Sequence, residues 1–257
     1  DTYVDPPHRV GSERLNLAAT GGYREWHNSP HHEGWTRLTK SKNAILIDGL
    51  GQQPKSKAAK GVITRFVETA RYAWATGDAT AAYAPLQPKG RVQRVTRDFV
   101  FVDQRYVVIR DVVHLAEPGR LTFALHALHP IDWRAADATA RIKAGQATLT
   151  VSLATAGAGF TGRVQDRADV PVDPAYARGT AANYITTGGW DEQSHLFAEV
   201  DVARARHTHF AVLWPERGGF PAQEIAVTLA ADGRLTVQRP DGRTDVIGLD
   251  DDELNIE

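Results

Sequence analysis

The sequence holds no cysteine and no methionine among its 257 residues. The first absence excludes disulfides, thiol nucleophiles and cysteine-held metal clusters, but assigns no compartment. The second means that Asp1 is not a start of translation, and no signal peptide leads the chain. It therefore reads as a processed product or a trimmed piece, with much of the original protein upstream. Net charge is also missing: 30 basic residues against 31 acidic ones leave a formal charge of −1. No field of either sign would gather nucleic acid or a membrane surface. No apolar run reaches the length of a membrane span, and there is no repeat or low-complexity tract. With 42% hydrophobic and 24% charged residues, the composition is that of a soluble globular chain.

What is present is a succession of short β-prone runs separated by turn residues. Val92–Val102, then Asp103-Gln104-Arg105, then Tyr106–Val113 form a β-hairpin whose arms are rich in Val, Phe and Tyr. Further strands are expected at 43–48, 120–128, 139–143, 147–153, 195–202, 207–214, 225–229, 235–238 and 245–247. From Val62 to Gly77-Asp78 the pattern alternates without a clean apolar face, which reads as one long strand between partly wet surfaces. Arg14–Ala18 reads as a short strand or half-turn, and residues 157–193 as a long loop region. With no credible long helix, the fold expected is all-β, a large antiparallel β-sandwich of supersandwich-like kind. Its parts are an irregular segment over 1–20, the sandwich over 21–249 and an acidic, solvated tail over 250–257.

The chemistry centres on Ser29 to Gln53. A histidine-bearing loop, Ser29-Pro30-His31-His32, leads through Trp35, Arg37 and Lys40 to the apolar run Ala44-Ile45-Leu46-Ile47, closed by Asp48-Gly49. Tyr23, Trp26 and Trp35 are of a kind that stacks on sugar faces. Arg24, Arg37, Lys40 and Lys42 are of a kind that neutralises carboxylates or sulfates. The same residues equally fit a polar loop entering a sheet, with rings in the core and cations on a solvated face. Histidines cluster at His27, His31 and His32, at His126 and His129, and at His207 and His209. The last two share one strand face and can bind a cation together, although no carboxylate completes them. There is no phosphate-binding glycine loop, no His-Glu-x-x-His and no Gly-x-Ser-x-Gly.

Gly22-Tyr23, Ser29-Pro30-His31-His32 and the block from Thr39 through Asn43-Ala-Ile-Leu-Ile-Asp48-Gly49 to Gly51-Gln52 together resemble the signature of the heparinase II/III-like family. Weaker matches follow in the same order: Gly77-Asp78-Ala79, the Val92–Asp111 hairpin, Leu125–Leu128 and Phe210–Pro215. The resemblance runs from about residue 20 to about residue 230. It implies the C-terminal β-sandwich of a lyase that cleaves uronic-acid polymers by β-elimination, with an N-terminal α/α-toroid forming the other wall of the cleft. It further implies catalytic roles for Tyr23, His31 and His32, and substrate contacts from His27, Trp35, Arg37, Asn43 and His126. An acidic polysaccharide partner, a secreted or periplasmic location and a zinc site follow from it too. The sequence departs from the family where Thr20 and Lys42 stand in place of an acidic residue and a histidine, so His31 or His32 would have to hold the zinc. The toroid is absent, which predicts little lyase activity from the chain alone. The alternative is a non-catalytic carbohydrate-binding or structural sandwich.

Overall fold

A computed structural model describes residues 28–157, 159–171, 173, 193–202, 206–219 and 224–257. Its organising element is the hairpin of β4 (Val92–Val102) and β5 (Tyr106–Leu115), paired from Val92↔Leu115 to Val102↔Tyr106. Asp103 and Gln104 turn the chain at φ 49° and 53°. Asp is among the few non-glycine residues that enter this left-handed region readily. The Arg105 N–H donates to the Val102 carbonyl at 2.8 Å and closes the turn.

Around this hairpin grows an eight-stranded antiparallel sheet in the order β2-β3-β4-β5-β12-β9-β8-β7. Its other members are β2 (Val62–Glu68), β3 (Tyr72–Asp78), β7 (Ile131–Arg134), β8 (Thr139–Ala144), β9 (Ala147–Thr155) and β12 (Arg206–Arg217). A four-stranded sheet lies on each face. One is β1-β6-β11-β10, built from β1 (Ile45–Ile47), β6 (Gly119–Ala127), β10 (Thr161–Gln165) and β11 (Ser194–Val202). The other is β13-β14-β15-β16, from β13 (Ala226–Leu229), β14 (Leu235–Gln238), β15 (Thr244–Leu249) and β16 (Leu254–Ile256). The all-β antiparallel sandwich expected from the sequence is thus present, with a third layer added.

The alternation of β5 explains the layering. Ile109, Val113 and Leu115 face the first small sheet and pack with Ile45, Leu121, Phe123 and Leu196. Tyr106 and Val108 face the second and pack with Trp214, Leu235, Val237 and Ile247. A strand covered on both faces is mostly apolar, and β5 is so except at Arg110, Asp111 and His114. Several of the polar groups within are paired. Asp98 accepts from Arg110 Nε at 2.8 Å, Trp74 Nε1 at 3.0 Å and Thr76 Oγ1 at 2.6 Å. Tyr106 donates its hydroxyl to Asp245 at 2.7 Å. Burial and the Asp245 carboxylate together push that phenol far up from its usual range.

Three expectations are corrected. The run read as one strand over 62–78 is a hairpin. Thr69 Oγ1 accepts the N–H groups of Arg71 (3.2 Å) and Tyr72 (3.0 Å), making a side-chain-supported turn with no glycine or proline to announce it. Within the region read as a loop, 161–165 forms β10, which completes the first small sheet against β11. The segment read as a solvated acidic tail is docked. Asp250 Oδ1 accepts the N–H groups of Asp252 and Glu253, which turns the chain into β16. Asp251 receives Arg94, Arg110 and Arg206 at 2.7, 3.1 and 3.2 Å. The expected strand at 14–18 lies outside the described residues.

The large sheet is wider than its covers. Register places Phe66, Ala75 and Phe99 in one row across β2, β3 and β4, with Ile63 and Phe101 on the same face. Farther along, that face packs on the first small sheet, but here it is open: Ile63 is 75% exposed and Phe66 68%.

Candidate functional site

The stretch from Asn28 to Gln53 lies on the outer face of the first small sheet. Ser29 and Pro30 start a tight turn in which Glu33 N–H donates to the Ser29 carbonyl and His32 N–H to Ser29 Oγ. A single widened helical turn over His32–Thr36 follows, closed from Arg37 N–H to the His32 carbonyl at 3.0 Å. β1 then pairs with β6, and Asp48 and Gly49 (φ 51° and 77°) turn the chain back. Gln52 N–H donates to Thr39 Oγ1 at 2.7 Å, holding this return against the entry. Gly51 permits the approach, because a Cβ there would overlap Thr39 Cβ and Oγ1.

Beneath this stretch lies a buried histidine layer. His126 on β6 and His195 on β11 are register partners, and their Nδ1 atoms are 2.8 Å apart. His126 Nε2 lies 3.1 Å from the Lys42 carbonyl, which can only accept. Nε2 of His126 therefore carries its proton, its Nδ1 is bare, and His195 donates from Nδ1. Burial, followed by repulsion from His195, pulls the His126 pKa down to about 3, so the His126 ring is neutral near neutrality. Trp35, 1% exposed, sets an edge against each ring, with centroid distances of 6.1 Å to His126 and 4.9 Å to His195. His31 Nδ1 meets the Val170 carbonyl at 2.6 Å, and Lys40 pairs with Asp169 at 2.8 Å, fastening the 165–171 segment over the layer.

Beside this layer a cavity of about 590 Å³ opens between Arg37, Thr39, Lys42, Asn43, Gln52, Gln53, Pro54 and Arg97. Three cations line it, and none of the described residues lining it is a carboxylate. Arg97 reaches it from β4. Its Nε and Nη2 donate to Asp111 at 2.6 and 2.8 Å, and its Nη1 to the Asn43 carbonyl at 2.8 Å. Asp111 is wholly buried, which by itself would raise its pKa. Arg97 and, next, His209 outweigh the burial and leave the carboxyl well below the usual carboxylate range. His209 Nε2 lies 3.0 Å from Asp111 Oδ2, within ion-pair reach but without the alignment of a hydrogen bond. A second cavity of about 260 Å³ continues past Arg97 over Tyr83, Ile63 and Phe99 toward the open end of the large sheet.

The residues singled out in the sequence fall into three groups. Arg37 and Asn43 line the cavity, although the Asn43 side-chain carbonyl is spent on His126 N–H at 2.8 Å. His31, His32, Trp35 and His126 are buried at 2, 3, 1 and 7% exposure, so Trp35 offers no open ring face to a sugar. Tyr23 and His27 lie outside the described residues. His195 and Arg97 were not singled out. The first is signalled only by its register opposite His126, the second only by the fold that carries β4 to the cavity. His32, the residue expected to hold a zinc, is engaged through Nδ1. Its Nδ1 accepts Asn28 N–H at 2.8 Å and lies 3.1 Å from the Arg37 guanidinium, which repels a second cation. Among the described residues no three His, Cys, Asp or Glu side chains converge as a metal would require, and His207 and His209, on one face as expected, gain no third ligand.

The molecule is thus a three-layer, all-β sandwich domain with a cation-lined cavity at the margin of its first small sheet. The pattern described as heparinase II/III-like, C-terminal, matches residues 12–205, and the chain belongs to that family. No curated protein sequence matches it. Among solved structures it is similar to the heparan sulfate lyase HepC from Pedobacter heparinus, at 11% identity and a TM-score of 0.65, over 93% of this chain and 34% of that one. It is likewise similar to a methylated-lysine heparinase III (12%, TM-score 0.65, 88% and 33%) and to another heparinase III structure (13%, 0.61, 82% and 30%). The chain spans about a third of the length of these relatives, and at such identities the likeness establishes the fold alone.

Proposed function

We propose that this chain is the β-sandwich part of a polysaccharide lyase that cleaves uronic-acid-containing polysaccharide by β-elimination, with a helical α/α-toroid outside the present sequence forming the other wall of the cleft. The observation that carries this reading is the cavity walled by Arg37, Lys42 and Arg97, in a member of this family. In β-elimination a base takes the C5 proton, the C4–C5 double bond forms, and the C4–oxygen bond breaks as the leaving oxygen is protonated. The C5 proton becomes acidic only as charge on the neighbouring carboxylate is neutralised, and a cation-lined wall supplies that. His31 and His32 are buried, which favours an acid and base drawn mainly from the toroid side, with Tyr23 as a further candidate from this chain. A polymer substrate places the protein outside the cytoplasm, secreted or periplasmic. Among the described residues no helix is long and apolar enough to cross a membrane.

The test joins this chain to its helical part and offers heparin-type, alginate and hyaluronan-type polymers. Ultraviolet absorbance from unsaturated uronate is the expected result. Its absence on every polymer would overturn the enzyme reading. The burial of His31 and His32 favours one other reading, a non-catalytic module for acidic glycans, which predicts binding of the same polymers without cleavage.

A further inference from the structure

The three cations of the cavity are not equivalent. Arg37 is ion-paired with Glu33, and its Nη2 donates to Asn28 Oδ1 at 3.0 Å. Arg97 has its charge cancelled by Asp111 through two hydrogen bonds and spends a third on Asn43. Lys42 stands apart: its backbone is tied at both ends, to Thr39 and to His126, while its ammonium has no hydrogen bond or ion pair among the described residues. Arg37 and Arg97 line the same cavity, and the neutral His126 lies behind the Lys42 backbone. Glu33 and Asp111, the carboxylates paired with the two arginines, are already committed to them. A half-buried ammonium without a counter-ion is unfavourable in the free protein. Burial accordingly lowers the Lys42 pKa, with no partner to hold it up.

We propose that Lys42 is the receptor for one anionic group of an acidic sugar, a carboxylate or a sulfate, with Arg97 fixing the wall beside it. An anion entering the cavity supplies the missing counter-charge and takes a charge-assisted hydrogen bond from Nζ. This deepens the lyase reading and rests on it for the identity of the sugar, but not for the charge of the group that binds. It also assigns carboxylate neutralisation to this one side chain, leaving the arginines as scaffolding.

The experiment follows the Lys42 Nζ resonance by NMR while the whole chain is titrated with glucuronate, inorganic sulfate or, as neutral control, glucose. Saturation with an anion is expected to raise the Lys42 pKa toward the ordinary lysine value of about 10.4. Glucose should leave it unmoved. Losing one charge-assisted hydrogen bond in Lys42→Met should weaken anion binding about tenfold or more. Lys42→Arg should retain binding, now without pH dependence as the lysine of the wild type deprotonates. Whichever of glucuronate and sulfate moves the resonance identifies the group read. Unchanged affinity in Lys42→Met, or a Lys42 resonance indifferent to both anions, would overturn the proposal while leaving the lyase reading intact. A shifted resonance in a protein that, joined to its toroid, cleaves no uronan would remove the lyase reading and keep the anion receptor.

Discussion

Replacing Asp111 by Asn removes the one negative charge that holds Arg97 in place. The carboxylate is 1% exposed and takes two hydrogen bonds from a guanidinium that is itself 18% exposed. Breaking such a buried pair by deleting one partner costs roughly 3–5 kcal/mol, because the surviving charge is left uncompensated. Arg97 keeps its bond to the Asn43 carbonyl and some access to water, which puts the expected loss at the lower end, about 3 kcal/mol. Native domains have only about 5–15 kcal/mol to lose, so the effect is large. Equilibrium denaturation reads it as a lower midpoint with the slope unchanged.

The pH dependence gives a second handle on the same residue. The folded Asp111 pKa lies below its unfolded value of about 3.9, so its contribution is complete above that pH and is lost as the pH falls toward the folded value. The deficit of Asp111→Asn relative to wild type should be flat from about pH 8 to pH 5 and narrow only below about pH 4. The double substitution Arg97→Leu with Asp111→Leu should be less damaging than Asp111→Leu alone, since no orphan charge remains. A loss under about 1 kcal/mol in Asp111→Asn, or a deficit that shrinks already at about pH 6, would refute the reasoning.

Two other outcomes are expected. His126 is held neutral, with its pKa lowered to about 3, so its contribution to stability is complete above the unfolded histidine value of about 6.5 and drains away as the pH falls below it. Its imidazole resonances should stay unshifted down to about pH 4, and an ordinary titration near pH 6.5 would count against the tautomer assignment. Gly51→Ala should force the 51–53 segment away from Thr39, at a cost of about 1–3 kcal/mol in thermal or chemical denaturation. It should also weaken anion binding at the cavity, and unchanged stability would mean that Thr39 gives way easily.

The hairpin of β4 and β5 was legible from the sequence because two β-branched runs flank residues that tolerate a tight turn, and the structure returns it with the same bounds on β4. The hairpin of β2 and β3 was hidden because its turn relies on a threonine hydroxyl rather than on glycine or proline. Arg37 and Asn43 could be placed beside a site because they adjoin the strand that the family motif marks. Trp35 looked the same in one dimension, an aromatic ring among cations, and only the register of β6 and β11 reveals that it caps a buried histidine pair. The Arg97–Asp111–His209 group was illegible for a similar reason. Its members alternate into an apolar interior on three strands, and nothing in the local pattern of any one strand names the other two.

The overhang of the eight-stranded sheet bears on how this chain behaves in concentrated solution. Its margin is a strand whose outer backbone groups have no neighbouring strand among the described residues and whose Ile63 and Phe66 are exposed. With a formal charge of −1, copies of the chain have almost no long-range repulsion to keep such margins apart. Among the described residues, the same sheet that is best insulated at its centre thus bears exposed apolar side chains along its border.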